Sequence, residues 1–245
     1  MRRVALITDF GTRDPYVAAM KGVIASRTEA PIVDCTHDVA PFDAWEAAFY
    51  IRAIARYWPD GTVFAVVVDP GVGTARRIVA VDSAGLLFVA PDNGVLHFVI
   101  GIAHSVENET LFLPDGSTTF HGRDRIAPVA AALANGLSIE RLGPRVDDLV
   151  RLDYQPPSYD RRSVEGTIVA VDRFGNCITD IVPPATPFTV VAGDRRIDNV
   201  RTTYGGEGAF AIVGSTGCIE ISVAGGSAAT LLQLRRGDRV TIVPA

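Results

Sequence analysis

Thr62 to Val68 is an unbroken apolar and β-branched run that stops at a carboxylate, Asp69, and is followed at once by Pro70. Proline has no N–H to give a neighbouring strand, so sheet pairing ends there. Gly71 and Gly73 then permit a tight turn whose bare backbone faces outward. Arg76 follows seven residues after Asp69. A buried strand, a terminal carboxylate, a glycine turn and an arginine make up the kind of edge at which open α/β sheets bind ligands. A capped strand with a surface arginine is the alternative, and this stretch alone does not separate the two.

The segments before it extend the same pattern. Val4 to Thr8 predicts a strand buried on both faces, which opens into a polar loop from Asp9 to Asp14. Tyr16 to Ser26 has helical periodicity, with Val17, Met20, Val23 and Ile24 on one face. Asp9 stands where the strand opens; Asp14 either serves the same site or caps the helix. Pro31 to Cys35 predicts a strand and Ala44 to Tyr57 an amphipathic helix. Between them His37 reads as a loop histidine held by local hydrogen bonds, and Phe42, beside Pro41, as either packing or a wall for a flat ligand.

Beyond Asp69, Ile78 to Asp82 and Leu86 to Ala90 predict strands around Ser83-Ala84-Gly85. Val95 to Ile102 predicts a helix-like apolar segment, with His97 and His104 in structural positions. The loop Thr118 to Asp124 carries His121 and Gly122 and runs into an alanine-rich helix, Ile126 to Ala134. Three polar loops, at Asp9, Asp69 and His121, are what the ligand-binding edge of a parallel sheet requires.

After a linker-like stretch the pattern changes. Thr167–Val171, Cys177–Ile181, Phe188–Val191, Phe210–Val213, Cys218–Val223 and Arg239–Val243 are short strand candidates separated by glycine turns. Their spacing predicts a small antiparallel barrel or sandwich. The expected organisation is an N-terminal α/β domain over residues 1–150, a linker over 151–162 and a C-terminal β domain over 163–245. In the latter, Asp172 and Asn176 flank a glycine turn. They form either an ordinary Asx turn or a site for an ammonium and an adenine edge. Gly214-Ser215-Thr216-Gly217 offers consecutive N–H groups that can form an anion nest.

Composition closes off other classes. Hydrophobic residues make up 48% of the chain, ample for a core, and a net charge of -5 argues against nucleic acid as a partner. The three cysteines, Cys35, Cys177 and Cys218, have no CxxC spacing, so neither a disulfide framework nor a zinc site is expected, and the natural compartment is the cytoplasm. The N-terminal apolar run is too short for a signal peptide. No apolar stretch approaches the ~18 residues of a membrane span.

Taken in order, these motifs resemble the S-adenosyl-L-methionine (SAM) hydrolases, or SAM hydroxide adenosyltransferases, relatives of the SAM-dependent fluorinase and chlorinase. The resemblance rests on Ile7-Thr8-Asp9-Phe10-Gly11, Asp14-Pro15-Tyr16-Val17, Met20-Lys21-Gly22-Val23, Val68-Asp69-Pro70-Gly71-Val72-Gly73-Thr74, Pro91-Asp92-Asn93-Gly94, Thr119-Phe120-His121-Gly122-Arg123-Asp124, Asp172-Arg173-Phe174-Gly175-Asn176 and Gly225-Gly226-Ser227-Ala228. It implies a Rossmann-like N-terminal domain that binds SAM and carries the catalysis, a C-terminal β-barrel, and a homotrimer with sites shared between subunits. It implies that SAM and water give adenosine and L-methionine, with SAM as substrate and no cofactor or metal. Asp69, Arg76 and His121 match the set that handles the water. Asp9 matches the ribose ligand, Asp172 and Asn176 the ammonium and adenine ligands, and Ser215 the carboxylate ligand; Asp14 and Phe42 join the substrate-binding set. Gly122 stands where halide-using relatives carry a small polar residue. Arg125 and Ala224 depart from the family's usual aromatic and Asn.

The chemistry suits these residue types. Sulfonium at C5′ leaves as a neutral thioether, so no acid is needed; what is missing is an aligned nucleophile. Arg76 beside Asp69 weakens that carboxylate as a base, so His121 as acceptor and Asp69 as an orienting group both stay open. Competing readings are a SAM or adenosine sensor without turnover, a halide-adding enzyme, and a metal hydrolase on Asp9, Asp69 and His121. The last lacks any metal-ligand spacing. A nicotinamide dehydrogenase is disfavoured because Gly71-x-Gly73 is not followed by the third glycine.

Overall fold

The computed structural model describes residues 2–160 and 162–245; Met1, ahead of the first strand, and Arg161, in the expected linker, lie outside the described residues. The chain divides into two compact units, Met1–Asp153 and Tyr154–Ala245. In the first, β1 (Arg3–Thr8) pairs in parallel with β2 (Ile32–Thr36) on one side and β3 (Thr62–Val67) on the other. Every residue of β3 is buried. Its alternate side chains enter two cores, as strand geometry requires. Val63, Ala65 and Val67 join Val4 and Leu6 of β1 on one face, under Met20 and Ile24 of α1 (Tyr16–Ala25). Phe64 and Val66 join Ala5 and Ile7 on the other, under Ala47 and Ile51 of α2 (Ala44–Ile54). Burial on both faces is why these strands read as continuous apolar runs.

The sheet is mixed rather than parallel throughout. β4 (Ile78–Ser83) and β5 (Leu86–Pro91) form an antiparallel hairpin, with β5 parallel to β3. β6 (Ile102–Ser105) and β7 (Arg145–Val146) continue antiparallel beyond β4, giving seven strands in the order β2-β1-β3-β5-β4-β6-β7. The helix expected over Val95 to Ile102 does not form. Val95, Leu96 and Val99 are buried as anticipated, but the segment is a series of turns that leads into β6. Arg151 Nη1 donates to the carbonyls of Leu96 at 3.1 Å and His97 at 2.7 Å. A distant guanidinium thus satisfies groups a helix would have paired internally. Gly94, at φ +95°, packs so closely on Leu152 that a Cβ there would lie 2.6 Å from its Cδ2.

α2 ends at Ile54 and its last turn tightens to 3₁₀ geometry over Ala55–Tyr57. A π turn, Gly122–Ile126, precedes α3 (Ala127–Ala134). Asp14 does not cap α1: the N-cap is Pro15, without a side-chain bond. His37, His97 and His104 are held structurally. His37 Nδ1 pairs with Thr8 Oγ1 at 2.9 Å, His97 Nδ1 accepts the Leu152 N–H at 3.1 Å, and His104 Nδ1 bonds the Gly143 carbonyl at 2.9 Å.

The second unit is a nine-stranded sheet that nearly closes into a barrel. Its strands are β8 (Ser158–Tyr159), β9 (Val164–Val171), β10 (Cys177–Thr179), β11 (Phe188–Ala192), β12 (Arg195–Ile197), β13 (Val200–Arg201), β14 (Ala209–Val213), β15 (Ile219–Val223) and β16 (Arg239–Pro244). All pairings are antiparallel except β13 with β14. A short helix, α4 (Ala228–Leu232), is capped by Ser227 Oγ on the Thr230 N–H at 3.1 Å. Inward residues such as Ile168, Val190, Ile221 and Ile242 fill the interior.

The start of α2 couples stability to the loop that carries Phe42. Asp43 Oδ1 accepts the Glu46 N–H at 3.0 Å, and Glu46 Oε2 accepts the Ala40 N–H at 2.6 Å. Asp43→Ala removes the cap and is expected to lower the unfolding free energy by about 1 kcal/mol. In urea titrations the midpoint should fall with an unchanged slope; an unchanged midpoint would show that the cap contributes nothing.

Candidate active site

Thr8 of β1 is paired with Val67 of β3, so Asp9 and Asp69 leave the sheet side by side. β1 is followed by α1 on one face of the sheet, and β3 is preceded by α2 on the other. This is a topological switch point, and the crevice outside it is where such sheets bind ligands. A cleft of about 610 Å³ opens there, and Asp9, Phe42, Asp69, His121 and Gly122 all line it.

Arg76 joins the two polar ends. Its Nε donates to Asp69 Oδ1 at 2.8 Å and its Nη2 to Asp69 Oδ2, a two-pronged pair whose side chains are only 10% and 5% exposed. Nη2 also lies 2.9 Å from His121 Nδ1. A guanidinium does not release its proton, so it donates and Nδ1 accepts. The neutral imidazole then carries its proton on Nε2. Burial first, then the nearby Arg125 and Arg76, hold His121 below the ordinary histidine value.

The sequence folds this way for local reasons. Thr74 Oγ1 and N–H both bond the Gly71 carbonyl, at 2.7 and 3.2 Å, closing the turn after Asp69. Gly73 has φ +79° and approaches Thr118 so closely that a Cβ would fall 2.7 Å from its carbonyl oxygen. Asn93 Nδ2 holds the Val68 carbonyl at 2.9 Å, and Arg77 is fixed between Asp92 and Asp148. On the other wall, buried Asp124 accepts the Ser117 N–H at 2.7 Å and pairs with Arg123, tying the loop before His121 to the π turn. Single π turns inside helices are frequent at functional sites. At Gly122 a Cβ would meet Val67 Cγ1 at 3.1 Å, so the floor leaves almost no room for a side chain.

Asp9 Oδ2 accepts the Phe42 N–H at 2.9 Å. Burial raises Asp9 above the ordinary carboxylate range; the Phe42 bond opposes that shift and the charge of Asp69 adds to it. Phe42 is 69% exposed at the cleft's edge, with φ at 68°, a strained value for a side chain of this size. Phe10, Tyr16 and Phe120 form an aromatic wall with ring centroids 5.3–5.8 Å apart. The sequence reading missed this wall, although all three residues belong to the motifs it quoted. Asp14, exposed before α1, is not among the lining residues.

The second unit has a hollow of about 780 Å³ lined by Asp172, Asn176, Tyr204 and Ala224 among others. The Asx turn is present: Asp172 Oδ1 accepts the N–H groups of Phe174 and Asn176, each at 2.9 Å, and Oδ2 accepts Asn176 Nδ2 at 2.9 Å. Asn176 keeps its carbonyl oxygen and one amide hydrogen for other partners. Ser215 is exposed in the turn between β14 and β15. Arg125 lies over the Phe112 ring at 5.3 Å. Among the described residues no group of three or more His, Cys, Asp or Glu is arranged to hold a metal ion.

Models of the SAM hydroxide adenosyltransferase N-terminal and C-terminal domains match residues 4–143 and 166–241. An (R)-S-adenosyl-L-methionine hydrolase from Thermus thermophilus is 40% identical over 99% of this chain and 100% of its own length. One from Salinispora tropica is 36% identical over 98% and 97%. A fluorinase from Actinoplanes is 33% identical but covers 73% of this chain and 71% of its own. A Thermotoga maritima crystal structure, described as an uncharacterized conserved protein, superposes with a TM-score of 0.91 at 34% identity, over 98% of this chain and 99% of that one. With both domain models matched in order and full-length relatives of this similarity, the chain belongs to the SAM hydroxide adenosyltransferase family.

Proposed function

We infer that this chain hydrolyses S-adenosyl-L-methionine to adenosine and L-methionine. The observation that carries the reading is the Asp69–Arg76–His121 set, closed around one guanidinium at the edge of a cleft. Full-length relatives are named as hydrolases, whereas the fluorinases cover less of the chain. Those hydrolases are named for the (R) form of SAM, and the reading extends to that epimer here.

Water oxygen forms a bond to C5′ as the C5′–S bond breaks. The electron pair goes to sulfur, which leaves as the neutral thioether of methionine. In this reading Arg76 occupies His121 Nδ1 and leaves Nε2–H as a donor to the water oxygen. Asp69, the anion of the pair, then takes the water proton and later returns it to solvent. Positioning of water against C5′ and proton transfer in place supply the acceleration. Loss of charge in a water-poor cleft favours the step.

Asp9 holds the ribose hydroxyls with its remaining lone pairs, and Phe42 lies against a flat part of the substrate. Asp172 and Asn176 serve the ammonium and the adenine, and Ser215 the methionine carboxylate; Asp14 is included on the resemblance alone. Gly122 leaves the place of the halide pocket's polar residue empty. The first domain, residues 1–150, is read as Rossmann-like, followed by a linker, 151–162, and the barrel domain, 163–245. No cofactor is required. The family resemblance supports a cytoplasmic homotrimer with shared sites; a fully active monomer in sedimentation experiments would overturn the shared site.

The direct test is turnover of SAM in H₂¹⁸O with excess chloride. Adenosine labelled at its 5′ oxygen, with equal methionine and no 5′-halo nucleoside, is expected. A 5′-chloro product would support the halide reading, and intact but tightly bound SAM the sensor reading. Separated sulfonium epimers assign the stereochemistry.

Asp69→Asn should lower kcat by at least about 100-fold with little change in SAM affinity; unchanged turnover would remove Asp69 from the mechanism. The neutral form of His121 is the active one, and its value is lowered. Activity should therefore fall on the acid side below the ordinary histidine value of about 6.5. The raised Asp9 titrates on the same limb, so His121→Asn should abolish one component only. An acid limb identical in that variant would show that His121 does not titrate in the active range.

A further inference from the structure

Along β15, Ile219, Ile221 and Val223 face the barrel core, which leaves Glu220 and Ser222 on the opposite side. Glu220 is only 4% exposed, and its Oε2 accepts the Tyr204 hydroxyl at 2.7 Å. Burial of a carboxyl is costly, and an apolar residue of similar size would serve packing alone at least as well. The carboxyl touches two elements, the Tyr204 segment, which borders the hollow of the second unit, and the Gly214 turn, which carries Ser215. Tyr204 lines that hollow, with its ring edge-on to Phe210 at 6.2 Å between centroids. The other oxygen fills the space over Gly214, where a Cβ would lie 1.6 Å from Glu220 Oε1. Gly214 opens the turn that carries Ser215, and its N–H bonds the Cys218 carbonyl at 2.9 Å.

We propose that Glu220 is a positioning residue for substrate recognition: it fixes the Tyr204 ring and the Gly214–Gly217 turn relative to each other. The inference rests on the proposed function, because it takes the hollow as part of the substrate site. Burial raises the Glu220 carboxyl, with Asp172 adding to the shift, and the Tyr204 hydroxyl is pushed up to about 12. The Tyr204 direction fits a hydroxyl held as a donor, and its bond opposes the rise at Glu220. With its hydroxyl turned to Glu220, Tyr204 offers the hollow a fixed, largely apolar ring. Gly214 is required because a methyl there would displace the carboxyl.

The test compares Tyr204→Phe, Glu220→Leu, the double variant and Glu220→Gln with the wild-type chain. The readouts are kcat and KM for SAM, adenosine affinity by calorimetry, and thermal midpoint. Tyr204→Phe and Glu220→Leu should each raise KM about tenfold, the scale of one hydrogen bond to a carboxyl, with kcat within twofold. The double variant should be no worse than either single, because the two act as one unit. Glu220→Gln, whose amide oxygen still accepts the hydroxyl, should restore KM. An active wild type with KM unchanged in Tyr204→Phe, or effects that simply add, overturns the positioning role alone. A thermal midpoint that drops while KM stays constant also overturns it, by marking Glu220 as structural only. A folded wild type that neither turns over SAM nor binds adenosine overturns the proposed function itself.

Discussion

One guanidinium holds the first unit's cleft together. Arg76 satisfies both oxygens of Asp69 and the δ nitrogen of His121, so three groups from two distant segments share one charge. The pair is almost wholly buried. Removing either partner of such a pair leaves an uncompensated charge, a cost on the order of 3–5 kcal/mol. The surroundings keep the pair in register. Asn93 fixes the last carbonyl of the run before Asp69, the glycine turn lets the chain double back within seven residues, and Asp124 ties down the loop that delivers His121. An arginine is suited to this place because its fork matches a carboxylate and still has an N–H for a third partner. A lysine offers a point charge without that geometry.

That arrangement needs a rigid base, which the doubly covered sheet supplies. Residue-by-residue pairing of β1 with β3 brings Asp9 and Asp69 out together. A slip of one residue in either strand would exchange the α1-facing and α2-facing cores. The alternating side chains of β1 and β3 divide cleanly between those cores, which makes such a slip costly. The position of the chemistry is therefore a consequence of packing that lies below it.

Local chemistry was legible in the sequence; long-range capture was not. The buried strands, α1, α2 and the cluster of Asp9, Asp69 and His121 follow from unbroken apolar runs that end in polar glycine turns, a signal within a dozen residues. Val95 to Ile102 has apolar content suited to a helix, yet Arg151, over fifty residues on, takes the carbonyls a helix needs. Periodicity carries no information about such a partner. The aromatic wall was missed for a similar reason, since Phe10, Tyr16 and Phe120 meet only in space. In the second unit β12 and β13 are too short and too polar to alternate, and only pairing with β11 and β14 defines them. The Asx turn at Asp172 was legible from its Asp-x-x-Gly-Asn spacing, and its hydrogen bonds leave the Asn176 carbonyl oxygen and one amide hydrogen unused within the turn.

The charges in the cleft explain why the guanidinium belongs there in a reaction that starts from a sulfonium. Attraction between the enzyme and a positive sulfur is lost as that sulfur becomes a neutral thioether, and an interaction present in the ground state but absent at the transition state raises the barrier. Two unpaired carboxylates facing the sulfonium would hold the substrate and slow its cleavage. Pairing Asp69 with Arg76 makes that pair neutral as seen from a distance, yet leaves carboxylate lone pairs available to a water at close range. Among the described residues Asp9 is the cleft carboxylate without a cationic partner, and its contact with the Phe42 N–H directs it toward the rim. On the proposed reaction, the negative charge that remains unpaired is thus spent on the ribose hydroxyls, which bind alike before and after the step. The paired carboxylate is left to the water, whose proton it gains only as the bond to C5′ forms.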